Sequence, residues 1–205
     1  MPDPMIYVLP GMGADHRMYP PPWPALPASR FIDWPAYGGE KTVADLARSV
    51  ASSVPIAADA WLIGSSLGGM VACELTRLLP VRGLILIGSA TSREELSPLL
   101  GALGPLIDLT PVNFIRQLAG KAPSELAQMF ARSDPAFIRA MCRAIVAWPG
   151  LGAATVPLYR IHGRKDRVIP LPPKVDLVLG GGHLIAMTHA PECVGFVEGL
   201  LANRA

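Results

Sequence analysis

The chain has 205 residues, enough for one sizeable domain with its own core. It is 51% hydrophobic and 17% charged, but no uninterrupted apolar run approaches the roughly 18 to 20 residues that span a bilayer; the excess points instead to parallel strands buried on both faces. A net charge of +2, with Lys and Arg scattered, argues against a nucleic-acid surface. Cys73, Cys142 and Cys193 form an odd set without metal-ligand spacing, which reads as three reduced thiols in a cytoplasmic protein. The N-terminus, Met1-Pro2-Asp3-Pro4, enters a strand at once, so no signal peptide is expected.

Met5 to Leu9 reads as a short buried strand ending at the glycine-rich loop Pro10-Gly11-Met12-Gly13. The next segment, to Ser29, carries Pro20, Pro21, Pro22, Pro24 and Pro27 and is expected to be irregular. Arg30 to Trp34 reads as a second strand. Thr42 to Val54 has helical spacing at Val43, Leu46, Ala47 and Val50, with Thr42 as the N-cap. Trp61 to Gly64 is a third strand, and Leu67 to Leu79 a helix. Between them lies Gly64-Ser65-Ser66-Leu67-Gly68, the Gly-x-Ser-x-Gly pattern of a nucleophile elbow. Such a turn puts Ser66 in a strained backbone conformation and presses together the residues two before and two after it. Gly64 and Gly68 fit that need; Ser65, flanked by Ile63 and Leu67, does not.

Gly83 to Ile87 is a fourth strand. From Ser92 to Trp148 the strand–helix alternation stops. Ser124 to Ala131 and Phe137 to Trp148 have helical spacing, and Asp134-Pro135 is a cap followed by a first-turn proline. Leu96 to Leu118 is apolar and is divided by Pro98, Pro105 and Pro111 into short helices. A structureless loop of that length is uncommon within a compact domain, so the segment reads as a helical insertion. Alternation resumes with Val156 to Ile161, ending at His162-Gly163, and Val175 to Leu179, ending at Gly180-Gly181-Gly182-His183. Pro191 to Leu201 is a closing helix. The pattern predicts a parallel sheet with helices on both faces and ligands at the carboxyl ends of the strands.

A serine hydroxyl becomes a good nucleophile when a base takes its proton and a third group fixes the base's tautomer. Asp166 and His183 both fall just past strand ends, where such groups belong in an alternating fold. The chain order is then Ser66, Asp166, His183. His162 reads as structural, packed behind the Asp166 loop. His189 reads as a cap of the closing helix, and His16 as a side chain of the first loop that can line a pocket.

These pieces resemble the α/β-hydrolase superfamily. The matching stretches are Gly64 to Gly68, His162-Gly163-Arg164-Lys165-Asp166-Arg167-Val168-Ile169-Pro170, Gly181-Gly182-His183, and Pro10 to Gly13 as an oxyanion loop. The resemblance covers nearly the whole chain, with a cap at Ser92 to Trp148. Two features depart from it. There are no residues for the antiparallel hairpin that starts many members, and Pro10-Gly11 stands where many have His-Gly. The resemblance implies a three-layer α/β/α fold with a mostly parallel, roughly six-stranded sheet. Its core is residues 1–91 and 149–205, and its cap residues 92–148.

The resemblance also implies a Ser66–Asp166–His183 triad and an oxyanion hole made by the backbone N–H groups of Met12 and Leu67. Glu94 and Glu95, past the fourth strand, are alternative acids by the same resemblance, since some members place the acid there. Leu67 opens a helix, so the helix dipole lies behind its N–H. The expected activity is cleavage of a small to medium carboxylic ester through an acyl-enzyme, without metal or cofactor. Thioesters, amides and C–C bonds are alternative substrates of the same machinery. A low-turnover ligand-binding or receptor-type homologue is the alternative outside catalysis. Halide displacement is disfavoured, since it needs an aspartate in place of Ser66. The expected partner is a small-molecule substrate; the oligomeric state is left open.

Overall fold

The computed structural model describes residues 5–98 and 124–203. Six strands form one sheet: β1 (Ile6–Leu9), β2 (Ser29–Phe31), β3 (Trp61–Ser65), β4 (Gly83–Ile87), β5 (Leu158–Gly163) and β6 (Leu177–Leu179). Their order is β2-β1-β3-β4-β5-β6, and every pairing is parallel. Among the described residues the sheet has six strands, the number the resemblance implies. Register aligns Leu9 with Gly64, Ser65 with Ile87 and Gly163 with Leu179, so the strand exits share one edge.

Among the described residues six α-helices accompany the sheet: α1 (Val43–Ser53), α2 (Leu67–Leu75), α3 (Ser124–Arg132), α4 (Pro135–Ala147), α5 (Ile185–Thr188) and α6 (Ala190–Ala202). Alternate strand residues supply two cores, one on each face of the sheet. Tyr7, Leu9, Leu62, Leu84 and Leu86 pack with α1, α2 and α4. Ile6, Val8, Trp61, Ile63, Ile85, Ile87 and Ile161 pack with α6 and the proline-rich segment. The period-two pattern is thus apolar on both faces, as burial between two helical layers requires.

Local chemistry explains the helix starts. Thr42 accepts from Asp45 N–H while the Asp45 side chain accepts from Thr42 N–H, a capping box. The Asp134 side chain accepts from Ala136 N–H, with Pro135 at the first turn. The expected helix to Leu79 ends as α2 at Leu75. Beyond it, i to i−3 bonds from Arg77 to Glu74 and from Leu78 to Leu75 tighten the chain ahead of Pro80. The second strand starts one residue and ends three residues earlier than expected, and β5 lies two residues later. The proline-rich segment is irregular but packed. It makes 3₁₀ turns at His16–Met18 and Trp23–Ala25, and the buried Trp23 indole donates to Ala186 O at 2.8 Å. Most of the expected Leu96 to Leu118 helices lie outside the described residues.

Candidate active site

The β3–α2 turn places Ser66 at φ 53°, ψ −120°, a backbone conformation that L-residues rarely adopt. A Cβ on Gly64 would stand 2.3 Å from Gly68 O, which explains glycine at 64. Gly68 is required for a different reason. Its Cβ would stand 2.4 Å from Pro10 O and 2.5 Å from Leu9 O, so the clash is with the exit of β1 rather than with Gly64. This close approach sets the Pro10–Gly13 loop beside the serine: a Cβ on Gly11 would lie 3.8 Å from Ser66 Cβ.

His183 follows β6 on a run of three glycines. A side chain at Gly163, the last residue of β5, would strike Gly182 O at 2.2 Å. The glycine run therefore lies directly on the β5 exit and carries His183 across to the β3 turn. His183 Nε2 is 2.9 Å from Ser66 Oγ, and His183 Nδ1 is 2.8 Å from Asp166 Oδ2. The three predicted residues converge in one hydrogen-bonded chain.

Asp166 sits in the turn after β5 with its side chain fully buried. Its Oδ1 accepts from Val168 N–H and Ile169 N–H, each at 2.9 Å. Burial alone raises a carboxyl pKa. Hydrogen bonding from His162 and His183, with the Ile169 N–H, outweighs it and holds Asp166 well below the usual carboxylate range. Asp166 is therefore an ionised acceptor, so the bridging proton belongs to His183 Nδ1–H. In the neutral imidazole this tautomer presents Nε2 as an acceptor towards Ser66 Oγ. His162 is buried behind this turn, with Nε2 at 2.8 Å from Ile169 O and 3.4 Å from Asp166 Oδ2.

The depressed Asp166 pKa has a stability consequence. Its contribution is fully present above the unfolded value, about 3.9, and is lost as pH falls through the folded one. Asp166→Asn should therefore cost about 2 kcal/mol at pH 7 yet flatten the decline of stability below about pH 4. Urea melts at pH 7, 4 and 3 measure this. An acid decline as steep as that of the parent would contradict the assigned ionisation.

The other candidates fall elsewhere. Glu95 is held by Arg160 Nη1 and Nη2, both at 2.7 Å, and by Thr91 N–H at 2.7 Å, so it serves an ion pair and not His183. Glu94 is exposed. His16 pairs with Asp33 at 2.9 Å in solvent. It is not among the residues lining the cleft of about 360 Å³ between Gly13, Trp34 and Phe137. His189 occupies the N-cap position of α6, but its side chain caps no helix N–H. Its Nδ1 instead meets Thr188 Oγ1 at 2.8 Å, because the ring is drawn back over Gly181. The three cysteines are free and buried, and burial pushes each thiol up to about 12.

Among the described residues, neither Met12 N–H nor Leu67 N–H donates a hydrogen bond. Reading the sequence missed the polar groups behind them. Ser89 Oγ donates to Ser66 O at 2.7 Å, and Trp34 Nε1 donates to Gly11 O at 3.0 Å. The only local signal was Gly69, whose Cβ would stand 2.4 Å from Ser89 Oγ and which the elbow itself does not need.

A parallel sheet between two helical layers, with a strained serine where a central strand turns into a helix, is the architecture of the α/β-hydrolase class. A sequence model described as the alpha/beta hydrolase family matches residues 6–195, and the chain belongs to that family. Solved structures agree on the fold. A hydrolase from Oleispira antarctica superposes with a TM-score of 0.81 at 16% identity, covering 99% of this chain and 92% of that one. A thermophilic esterase from Thermogutta terrifontis gives 0.72 at 16% identity, covering 98% and 90%. The enol-lactonase from Burkholderia xenovorans LB400 gives 0.70 at 20% identity, covering 98% and 92%. A search of curated proteins finds no match. No described helix is long and apolar enough to cross a membrane.

Proposed function

We propose that this family member is a serine hydrolase that cleaves a small to medium carboxylic ester through an acyl-enzyme. The observation that carries the reading is the continuous relay Ser66 Oγ, His183 Nε2, His183 Nδ1, Asp166 Oδ2, with 2.9 and 2.8 Å links. Ser66 Oγ attacks the ester carbonyl while His183 Nε2 takes the hydroxyl proton. Asp166 balances the imidazolium that forms. Met12 N–H and Leu67 N–H donate to the developing oxyanion. His183 then passes its proton to the leaving alcohol, and the C–O bond breaks. A water repeats the sequence on the acyl-enzyme, delivering the acid and restoring Ser66–OH. No metal or cofactor enters any step.

The same reading makes residues 92–148 a cap that shapes the substrate pocket. Its described part is built onto the oxyanion loop. Ser133 Oγ donates to Gly13 O at 3.1 Å, and a side chain at Gly13 would strike the Phe130 ring at 2.4 Å. Phe137 lies against Trp34 and Tyr37, with ring centroids 6.1 and 6.0 Å apart. An apolar wall there favours acyl chains by about 0.8 kcal/mol per buried methylene.

The test is labelling with a fluorophosphonate followed by mass mapping, alongside a panel of acyl esters, thioesters and amides. The expected results are a single adduct on Ser66 and a preference for esters. kcat/KM should rise over the first few acyl carbons and then fall as the chain outgrows the cap. A protein that is folded, unlabelled and inert on the whole panel is not a serine hydrolase. A fast burst with negligible steady turnover moves it to the receptor class.

A further inference from the structure

Both proposed oxyanion donors have a peptide carbonyl on their far side. In a trans peptide the C=O of one residue and the N–H of the next point in opposite directions across a rigid plane. Among the described residues the one cis bond is Pro21-Pro22, so Gly11–Met12 and Ser66–Leu67 are trans. Whatever grips Gly11 O therefore aims Met12 N–H, and whatever grips Ser66 O aims Leu67 N–H.

Each carbonyl is gripped by one side chain in addition to local backbone. Gly11 O accepts from Trp34 Nε1 at 3.0 Å and from Ala14 N–H at 3.2 Å. Ser66 O accepts from Ser89 Oγ at 2.7 Å and from the first turn of α2, Gly69 N–H at 3.0 Å and Met70 N–H at 3.3 Å. The two side chains reach in from opposite neighbours of β3 and β1. Trp34 follows β2 and rests on Phe137. Ser89 follows β4, is fully buried, and is itself fixed by Arg160, whose Nη2 donates to Ser89 O at 2.9 Å. Gly69 is the residue that makes room for its hydroxyl.

We infer that Trp34 and Ser89 are the positioning residues of the oxyanion hole, each holding one donor peptide from behind through its carbonyl. The inference rests on the serine-hydrolase reading above. Two consequences follow from the chemistry. A hydrogen bond to a carbonyl polarises its peptide, which makes the N–H on the other side a stronger donor. It also removes the peptide rocking that a free loop allows, so the donors are in place before charge develops. Both effects act on the transition state and leave ground-state ester binding nearly untouched.

The experiment uses Trp34→Phe, Ser89→Ala and the double variant of the full chain. Trp34→Phe keeps the aromatic contact with Phe137 and removes the N–H. Replacing Trp34 by benzothienylalanine, which swaps only that N–H for sulfur, serves if phenylalanine disturbs folding. The readouts are kcat and KM on the best ester of the panel, the pH profile, and the affinity of a trifluoromethyl ketone. That ketone adds Ser66 Oγ to its carbonyl and places the resulting oxyanion in the hole. Loss of a whole donor costs about 10²- to 10³-fold in kcat. A mis-aimed donor should cost less, roughly 10-fold in each single variant and 100-fold in the double, with KM and the acid limb unchanged and ketone affinity falling in parallel. Unchanged kcat and ketone affinity in folded variants would overturn the inference while labelling of Ser66 leaves the hydrolase reading standing. A kcat loss with unchanged ketone affinity, or one matched by a rise in KM, would also overturn it, since the effect then lies outside the hole. If the parent protein takes no fluorophosphonate on Ser66, the hydrolase reading fails first.

Discussion

Ser66→Ala should lower kcat on any active ester by roughly 10³-fold or more and abolish fluorophosphonate labelling, while Ser65→Ala keeps most of the activity. The two serines are adjacent but chemically unlike. Ser66 is at the turn, with Oγ on His183 Nε2. Ser65 is the last residue of β3, 2% exposed and in register with Ile87, and among the described residues its side chain is paired with Tyr19 rather than with a histidine. The strain at Ser66 adds a second readout. Ser66→Gly should be as inactive as alanine but more stable, by about 1 to 3 kcal/mol, because glycine takes positive φ without cost. Alanine keeps the strain and should melt close to the parent. Kinetics and thermal melts on the three variants separate the outcomes. Equal loss of activity at Ser65 and Ser66, or an adduct mapped to Ser65, would refute the elbow assignment. A glycine variant no more stable than the alanine variant would remove the argument that the turn is held against its own preference.

How far these features could be read from the sequence depends on how local they are. The elbow is local: glycine two before and two after a serine, between an apolar strand and a helix, is a pattern within five residues. The strand faces and the Thr42 and Asp134 caps are local too, and the structure has them where periodicity and capping chemistry put them. The reason for Gly68 was only half legible. Its need comes from Leu9 and Pro10, nearly sixty residues away, which no window of sequence contains. Glu95 stood as an alternative acid because the α/β-hydrolase resemblance allows the acid after the fourth strand. Its actual partner, Arg160, comes from the neighbouring strand β5, and strand order decides that pairing. His189 was expected to cap a helix and was drawn instead to Thr188 and Gly181 by the short helix α5, which has only four residues and leaves no periodic signal. The hydrogen bonds of Trp34 and Ser89 to Gly11 O and Ser66 O were invisible for the same reason as that of Arg160: each carbonyl is brought to its partner only by the closed sheet.

His183→Ala should lose roughly 10³-fold or more in kcat, like removal of the serine, because the pair acts as one unit. The parent enzyme should lose activity as pH falls, with a single ionisation on the acid side. The sign follows from the proton positions: Nδ1–H is committed to Asp166, so a further proton must go to Nε2, the atom that has to accept from Ser66. Asp166 cannot supply that limb. Burial would raise its pKa, but the hydrogen bonds from His162 and His183 hold it below the usual carboxylate range, so it stays ionised wherever a histidine titrates. His162 makes no hydrogen bond to Ser66: its buried ring places Nε2 at 2.8 Å from Ile169 O and 3.4 Å from Asp166 Oδ2. His162→Gln and His189→Ala should therefore lower stability more than kcat and leave the acid limb in place. kcat/KM profiles for the parent and the three histidine variants make the comparison. A His183→Ala protein with parental rate would sink the triad, and an acid limb that disappears in His162→Gln while surviving in His183→Ala would transfer the base to His162.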